Sequence, residues 1–147
     1  MSVDDEFPFK KALSGDDISI IAEVKKASPS KGIIAEDFDY LAIAKEYEDA
    51  GASAISVLTE PYFFFGSDDY LKEIAETVNI PVLRKDFVVD EYMIWEAKAL
   101  GASAVLLIVS ILDIVQLKKY LDLAHELGLS AIVEAHDGDE IMRALTV

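Results

Sequence analysis

The chain has no cysteine and only two histidines, His125 and His136, among its 147 residues. Without cysteine, the sequence excludes disulfides, thiolate nucleophiles and cysteine-ligated metal sites. The two histidines are too few and too far apart in the sequence to form a histidine metal centre. We therefore expect no metal ion in this protein.

Basic residues are also scarce, with 13 Lys and Arg against 28 Asp and Glu, which gives a formal net charge of −15. This charge disfavours nucleic acid and anionic membranes as partners, because both attract positive charge. No apolar run reaches the roughly 18 residues of a membrane helix, and the acidic segment MSVDDEFPFKK lacks the basic start of a signal peptide. We expect a cytoplasmic protein that binds a small molecule.

Apolar segments alternate between short strand-like runs and helical patterns, and 52% of the residues are hydrophobic. Three segments each place a glycine after a helix, then a small residue, then a strand: DAGASAISVLTE, ALGASAVLLIVS and ELGLSAIVEAH. The pattern predicts five strand–helix units in a parallel sheet, because parallel neighbours need a crossover helix. Two architectures fit at this point: a part of a (β/α)8 barrel, or an open flavodoxin-like sheet.

The element bounds follow from the periodicity and the turn residues. An opening strand near Ile20 leads into a loop that ends near Ile34, after a polar segment over 1–17 with one helical turn. We predict the following strands at 54–60, 80–87, 104–110 and 130–136, and helices at 37–50, 68–78, 90–100, 113–127 and 137–145. Residues 18–147 are predicted to form one domain.

Charged residues lie where these strands end, and side chains two positions apart share a face of a strand. Glu23 and Lys25 are such a pair on the first strand, and Glu134 and His136 on the fifth, while Lys85 ends the third. Ligands of α/β folds bind at this carboxyl edge of the sheet. The lysines and glutamates therefore predict a set of acid–base residues at the carboxyl edge of the sheet. We expect His136 to be structural or solvent-facing.

The motifs IIAEVKKASPSKGII, VLTE, YFFFGS, PVLRKDF, VLLIVSIL and IVEAH follow one another in this order. Together they resemble the indole-3-glycerol phosphate synthase family, over nearly the whole chain. The resemblance implies a (β/α)8 TIM barrel, present here as about five of eight units, with residues 1–17 as the remnant of an N-terminal extension. It also implies a lyase of tryptophan biosynthesis that needs no cofactor.

The implied reaction closes a ring, releases carbon dioxide and removes water from 1-(2-carboxyphenylamino)-1-deoxyribulose 5-phosphate. By resemblance, Lys85 is the general acid that protonates the ribulose carbonyl, and Lys25 holds the substrate carboxylate. Glu134 and Glu23 handle the proton transfers of the dehydration, and which of them is the base is left open. A positioned ammonium acid suits carbonyl activation.

The resemblance also implies four substrate-binding residues. Phe64, in the aromatic loop, stacks near the anthranilate ring, and Leu112 lines the same apolar pocket. Ser28 and Ser30 position the substrate from the first loop of the barrel. Tyr92 and Trp95, on a predicted helix, are interpreted as packing residues.

Three of the family's eight units are absent from this sequence, and with them the residues that grip most of the substrate phosphate. Five barrel strands leave two open edges and an apolar inner face, so we expect a homo-oligomer or a complementing barrel fragment. A non-catalytic, truncated or engineered scaffold is the alternative function. Phosphoribosylanthranilate isomerase chemistry is disfavoured because it prefers a cysteine, and a Schiff-base aldolase that uses Lys85 is a further alternative.

Overall fold

A computed structural model describes residues 7–34 and 37–147. Its strands are β1 (Ile21–Val24), β2 (Ala27–Ser28), β3 (Gly32–Ile33), β4 (Ala54–Leu58), β5 (Val82–Lys85), β6 (Ala104–Ile108) and β7 (Ser130–Glu134). Strands β2 and β3 form a small antiparallel hairpin of their own, and the other five form one parallel sheet. The predicted five-stranded parallel sheet is confirmed.

Strand order decides between the two predicted architectures. The main sheet runs β1-β4-β5-β6-β7, so that each strand lies beside the next one along the chain. A flavodoxin-like sheet places its second strand outside the first. The sequential order is that of consecutive barrel units, and the partial barrel is confirmed.

The residues that the structure describes also form six α-helices: α1 (Pro8–Ala12), α2 (Tyr40–Asp49), α3 (Asp68–Thr77), α4 (Glu91–Ala99), α5 (Ile114–Glu126) and α6 (Gly138–Ala144). Each helix from α2 to α6 begins at an Asp or Ser whose side chain accepts a backbone N–H of the first turn. Gly51 and Gly101 follow α2 and α4 with φ of +89° and +90°. The predicted glycine helix ends are therefore present at these two positions.

The main core lies between the sheet and helices α2 to α5. It contains the outward residues of the strands, among them Ile55, Val57 and Leu107, which are fully buried. Leu71 of α3 and Leu117 of α5 pack against them from the helix side. This layer of apolar residues positions the carboxyl ends of the strands, where the predicted site lies.

The inner face of the sheet is more covered than the sequence analysis predicted. At its amino end, Phe9 of α1 packs against Ala54, Leu83 and Ala104. Towards the carboxyl end, Leu106 is only 6% exposed. The expected large exposed apolar inner face is wrong for this part of the sheet, because Phe9 of α1 covers its amino end and Leu106 is buried.

The four strands after the opening one each end two residues earlier than predicted. The strand predicted over 104–110 ends at Ile108, and the chain continues as a 3-10 helix, Val109–Ile111.

Tyr92 and Trp95 are 68% and 54% exposed, so their interpretation as packing residues is wrong. They lie on the face of α4 opposite Ile94 and Ala97, which are the residues that the helix buries.

In the part of the chain that the structure describes, no helix combines the length and hydrophobicity that a membrane crossing needs. The same residues contain no group of three or more acidic or histidine side chains arranged to hold a metal ion.

Candidate active site

Glu23 lies between two ammonium groups at the carboxyl end of the sheet. Its Oε1 is 2.7 Å from Lys25 Nζ and its Oε2 is 2.6 Å from Lys85 Nζ. The exposed fractions of the three side chains are 27%, 32% and 36% for Glu23, Lys25 and Lys85. The structure thus brings three of the four predicted catalytic residues into direct contact.

The charge state of Glu23 follows from these contacts. Burial disfavours its ionised form, but the hydrogen bonds and positive charges of Lys25 and Lys85 outweigh that effect, so the pKa of Glu23 lies below its ordinary value of 4.5. Glu23 is therefore a carboxylate near neutral pH, and it holds both ammonium groups in place.

Strand register explains how these residues meet. Glu23 on β1 pairs with Ser56 on β4, and Ser56 pairs with Leu83 on β5. Lys85 lies two residues beyond Leu83 and shares its face, which is the inner face of the sheet. The Lys85 side chain therefore crosses β4 to reach Glu23, above the small side chain of Ser56.

A cavity of about 190 Å³ lies beside this cluster. Lys85 lines it together with apolar side chains of β4 and β6, and Glu134 lines it from β7. Phe64 and Phe87 supply two aromatic rings whose centroids are 6.4 Å apart. Phe87, which sequence reasoning did not select, follows the charged end of β5 directly.

Each acidic residue of the cavity wall is engaged by a partner. Asp86 accepts hydrogen bonds from the Thr59 hydroxyl at 2.5 Å and from the Phe87 N–H at 2.7 Å. Glu134 Oε1 is 2.9 Å from His136 Nε2. Lys85 supplies an ammonium group to the same wall, and the aromatic and apolar side chains there suit a planar ring.

His136 is 56% exposed at its side chain and lies between two carboxylates, as its Nδ1 is 3.2 Å from Glu140. The hydrogen bond to Glu140 and, after it, the negative charges of Glu140 and Glu134 raise the pKa of His136 above its ordinary value. The structure places His136 at the surface as a partner of Glu134, in line with the sequence-based expectation that it is structural or solvent-facing.

A third acid, Glu60, is buried at 6% exposure although it lies on the cavity wall. Its carboxylate accepts the backbone N–H groups of Tyr62, Phe63 and Phe64. Sequence reasoning did not select Glu60, because the backbone N–H donors that a loop provides cannot be read from side-chain patterns.

The other predicted binding residues do not line the cavity beside Lys85. Ser28 and Ser30 belong to the β2–β3 hairpin and its turn, with their hydroxyl oxygens 3.4 Å apart. Leu112 is 3% exposed and packs in the helix-side core, and its carbonyl accepts a hydrogen bond from Arg143. Leu112 therefore belongs to the main core and is not among the residues that line the cavity, where the resemblance implied that it would lie.

Arg84 supports the site from the opposite face of β5. It is 3% exposed, and its guanidinium reaches Asp68 at 2.8 Å, Glu96 at 2.9 Å and the Met93 carbonyl at 2.9 Å. Burial raises the pKa of Asp68 above its ordinary value, even though Arg84 favours its charged form. This cluster ties the end of β5 to α3 and α4, and so fixes the backbone that carries Lys85.

The family model described as indole-3-glycerol phosphate synthase matches residues 2–147. The chain belongs to the indole-3-glycerol phosphate synthase family. A synthase of this name from Ruminiclostridium cellulolyticum is 58% identical over 139 residues, which are 95% of this chain and 54% of the relative. One from Leuconostoc mesenteroides is 58% identical over 147 residues, which are 99% of this chain and 56% of the relative. The chain thus spans about half the length of these synthase-family relatives.

Solved structures show the likeness of the fold at low sequence identity. Mandelate oxidase mutants bound to (S)-mandelic acid and to 3,3,3-trifluoro-2,2-dihydroxypropanoic acid match with TM-scores of 0.59 and 0.62 at 13% and 14% identity. Each match covers 95% of this chain and 56% or 55% of the other. At this identity the likeness concerns the fold alone.

Proposed function

We propose that this chain carries the acid–base part of an indole-3-glycerol phosphate synthase active site. The reaction is the conversion of 1-(2-carboxyphenylamino)-1-deoxyribulose 5-phosphate to indole-3-glycerol phosphate, carbon dioxide and water. The observation that carries the proposal is the Lys25–Glu23–Lys85 cluster beside a cavity walled by Phe64. Family membership supports the same assignment.

Lys85 is proposed as the general acid. Its ammonium lies on the cavity wall, 2.6 Å from Glu23 Oε2. Protonation of the ribulose carbonyl oxygen makes the carbonyl carbon electrophilic as the aromatic carbon attacks it. Glu23 holds the ammonium at one position, which lowers the entropic cost of reaching the reactive geometry.

Lys25 is proposed to hold the substrate carboxylate before it leaves as carbon dioxide. Its ammonium shares Glu23 with Lys85, so two positive charges lie close together, and Lys85 carries one of them to the cavity wall. Two ammonium groups around one protein carboxylate leave a net positive charge, which attracts the substrate carboxylate.

The two glutamates differ in a way that separates their proposed roles. Glu23 binds protons weakly, because the two lysines lower its pKa, so it is a poor base near neutral pH. Glu134 lines the cavity opposite this cluster and pairs with His136. We assign the base of the dehydration to Glu134 and the orientation of the lysines to Glu23.

Binding of the substrate is proposed to involve the aromatic loop after β4 and the β2–β3 hairpin. Phe64 stacks on the anthranilate ring, and Ser28 and Ser30 approach the substrate from the hairpin. Leu112, which is buried in the helix-side core, is proposed to support the pocket from behind.

The sheet ends at β1 and β7, and the relatives are about twice as long as the matched region. We propose that a second copy or a complementing barrel fragment pairs with these strands, because free strand edges are sites of association. Residues 1–17 as a remnant segment, residues 18–147 as one domain and a cytoplasmic location are part of the same proposal.

The test measures the formation of indole-3-glycerol phosphate, which is detected by its fluorescence. It is run on the chain alone and on the chain co-expressed with the part of a relative that lies outside the match. Lys85→Ala should remove the product in whichever sample is active, whereas Lys72→Ala, a change of an exposed lysine on α3, should not. No product in either sample, or product that does not depend on Lys85, would favour a non-catalytic scaffold.

A further inference from the structure

The aromatic loop after β4 is held by one buried carboxylate. Glu60 Oε1 accepts the N–H of Tyr62 at 2.9 Å, and Oε2 accepts those of Phe63 at 2.6 Å and Phe64 at 3.1 Å. Three backbone donors converge on two oxygens of a side chain that is only 6% exposed. Hydrogen bonds to a charged acceptor in such a site are stronger than neutral ones.

The backbone of Glu60 closes the other end of the same loop. Gly66 donates its N–H to the Glu60 carbonyl at 2.8 Å. A side chain at Gly66 would place a Cβ 2.3 Å from the Leu58 carbonyl oxygen, so the loop passes directly over the end of β4. Phe65 next to it has a φ of +50°, a conformation that a residue of this kind adopts only when its surroundings hold it.

This attachment reaches one cavity residue in particular. Tyr62 and Phe63 are 82% and 63% exposed, whereas the Phe64 side chain turns inward and lines the cavity near Phe87. The hydrogen bonds of Glu60 fix the backbone of all three residues, and the inward direction of Phe64 depends on that backbone. The carboxylate of Glu60 is occupied by these N–H groups, although the residue itself lies on the cavity wall.

We infer that Glu60 is a positioning residue that holds Phe64 as a fixed aromatic platform for a planar ring in the cavity. The positioning role of Glu60 rests on the contacts of the loop alone, whereas the identity of the bound ring rests on the function proposed above. Glu60 acts through Phe64 and does not itself contact the ring.

The first test needs no catalytic activity. Glu60→Gln keeps the size of the side chain but replaces one acceptor oxygen by an NH2 group, which faces backbone N–H groups. We expect roughly 10- to 100-fold faster amide hydrogen exchange at residues 62–64 and loss of the nuclear Overhauser contact between the Phe64 and Phe87 rings. Glu76→Gln, which removes one exposed charge on α3, is the matched control and should change neither.

The second test measures binding of 2-aminobenzoate by its own fluorescence. We expect Glu60→Gln to weaken binding about fivefold, and we expect this effect to disappear in a Phe64→Ala background, since Glu60 acts through Phe64. An equal loss in both backgrounds, or unchanged exchange at residues 62–64, would overturn the inference. If the unaltered chain does not bind 2-aminobenzoate, the proposed function fails on this point, and the exchange and ring-contact measurements decide the role of Glu60.

Discussion

Replacement of Glu23 by glutamine tests the central contact of the site without reference to catalysis. Glutamine keeps the shape and one acceptor oxygen, but it removes the negative charge between Lys25 and Lys85. A hydrogen bond to a charged group contributes roughly 1.5–3 kcal/mol when buried, and an exposed ion pair contributes about 0–1 kcal/mol. Because the three side chains are about one third exposed, we expect a loss of about 1–2 kcal/mol in the free energy of unfolding near neutral pH.

The dependence on pH has a definite sign. The pKa of Glu23 in the folded chain lies below its ordinary value of 4.5, so the unfolded chain binds the proton more tightly. The stabilisation by Glu23 is therefore fully present above pH 4.5 and is lost as the pH falls through the folded pKa. The difference between the unaltered chain and Glu23→Gln should shrink over the same range.

Urea unfolding followed by circular dichroism measures this difference at a series of pH values. All samples need the same protein concentration, because association between copies would make the free energy of unfolding depend on concentration. Glu76→Gln is the control and should change stability by less than about 0.5 kcal/mol. The reasoning is refuted if Glu23→Gln matches that control near neutral pH, or if its deficit persists unchanged well below pH 4.5.

Three further substitutions test the supports of the site by the same unfolding measurement. Arg84→Met leaves its carboxylate partners unpaired and should cost about 3 kcal/mol; a neutral result would mean that these ion pairs do not stabilise β5. Gly66→Ala forces a Cβ towards the Leu58 carbonyl and should cost about 2 kcal/mol, whereas Gly15→Ala meets no atom within 4 Å and should be nearly neutral. Leu107→Ala removes a fully buried side chain and should cost roughly 2–5 kcal/mol, and a loss below that range would indicate a loosely packed helix-side core.

The architecture was predictable because its signals are local. Apolar periodicity separates strands from helices, and Gly51 and Gly101 mark where two helices end. These signals recur along the chain, and parallel strands joined by helices have few possible arrangements. The exposure of Trp95 was not predicted, because α4 has large apolar or aromatic residues on both of its faces, and that pattern does not reveal which face the sheet covers.

The candidate site was predictable only in part. Parity correctly placed Glu23 with Lys25, and Glu134 with His136, on shared faces, since the side chains of each pair are in contact. The contact between Glu23 and Lys85 depends on strand order, since the two residues lie 62 positions apart in the sequence. The role of Glu60 depends on backbone N–H groups of a loop, which carry no sequence signal.

Glu23 also connects an edge strand to the middle of the sheet. Strands in a sheet are about 4.8 Å apart, so β1 and β5 lie roughly 10 Å from each other across β4. Glu23 and Lys85 bridge that distance above Ser56, whose hydroxyl is buried and has no hydrogen-bond partner among the described residues. Strand β1 pairs with β4, and this ion pair gives it a second attachment, to β5.

The Lys25–Glu23–Lys85 cluster and the attachment of β1 therefore share one contact, the ion pair between Glu23 and Lys85. A substitution at Glu23 releases Lys85 and loosens the strand that carries Lys25 in one step. Loss of activity in such a variant would combine both effects, and the unfolding measurement is needed to separate them. Phe64 does not belong to this ion cluster, so its substitution changes ring binding without releasing β1. Comparison of the two variants thus distinguishes a damaged sheet edge from a damaged cavity.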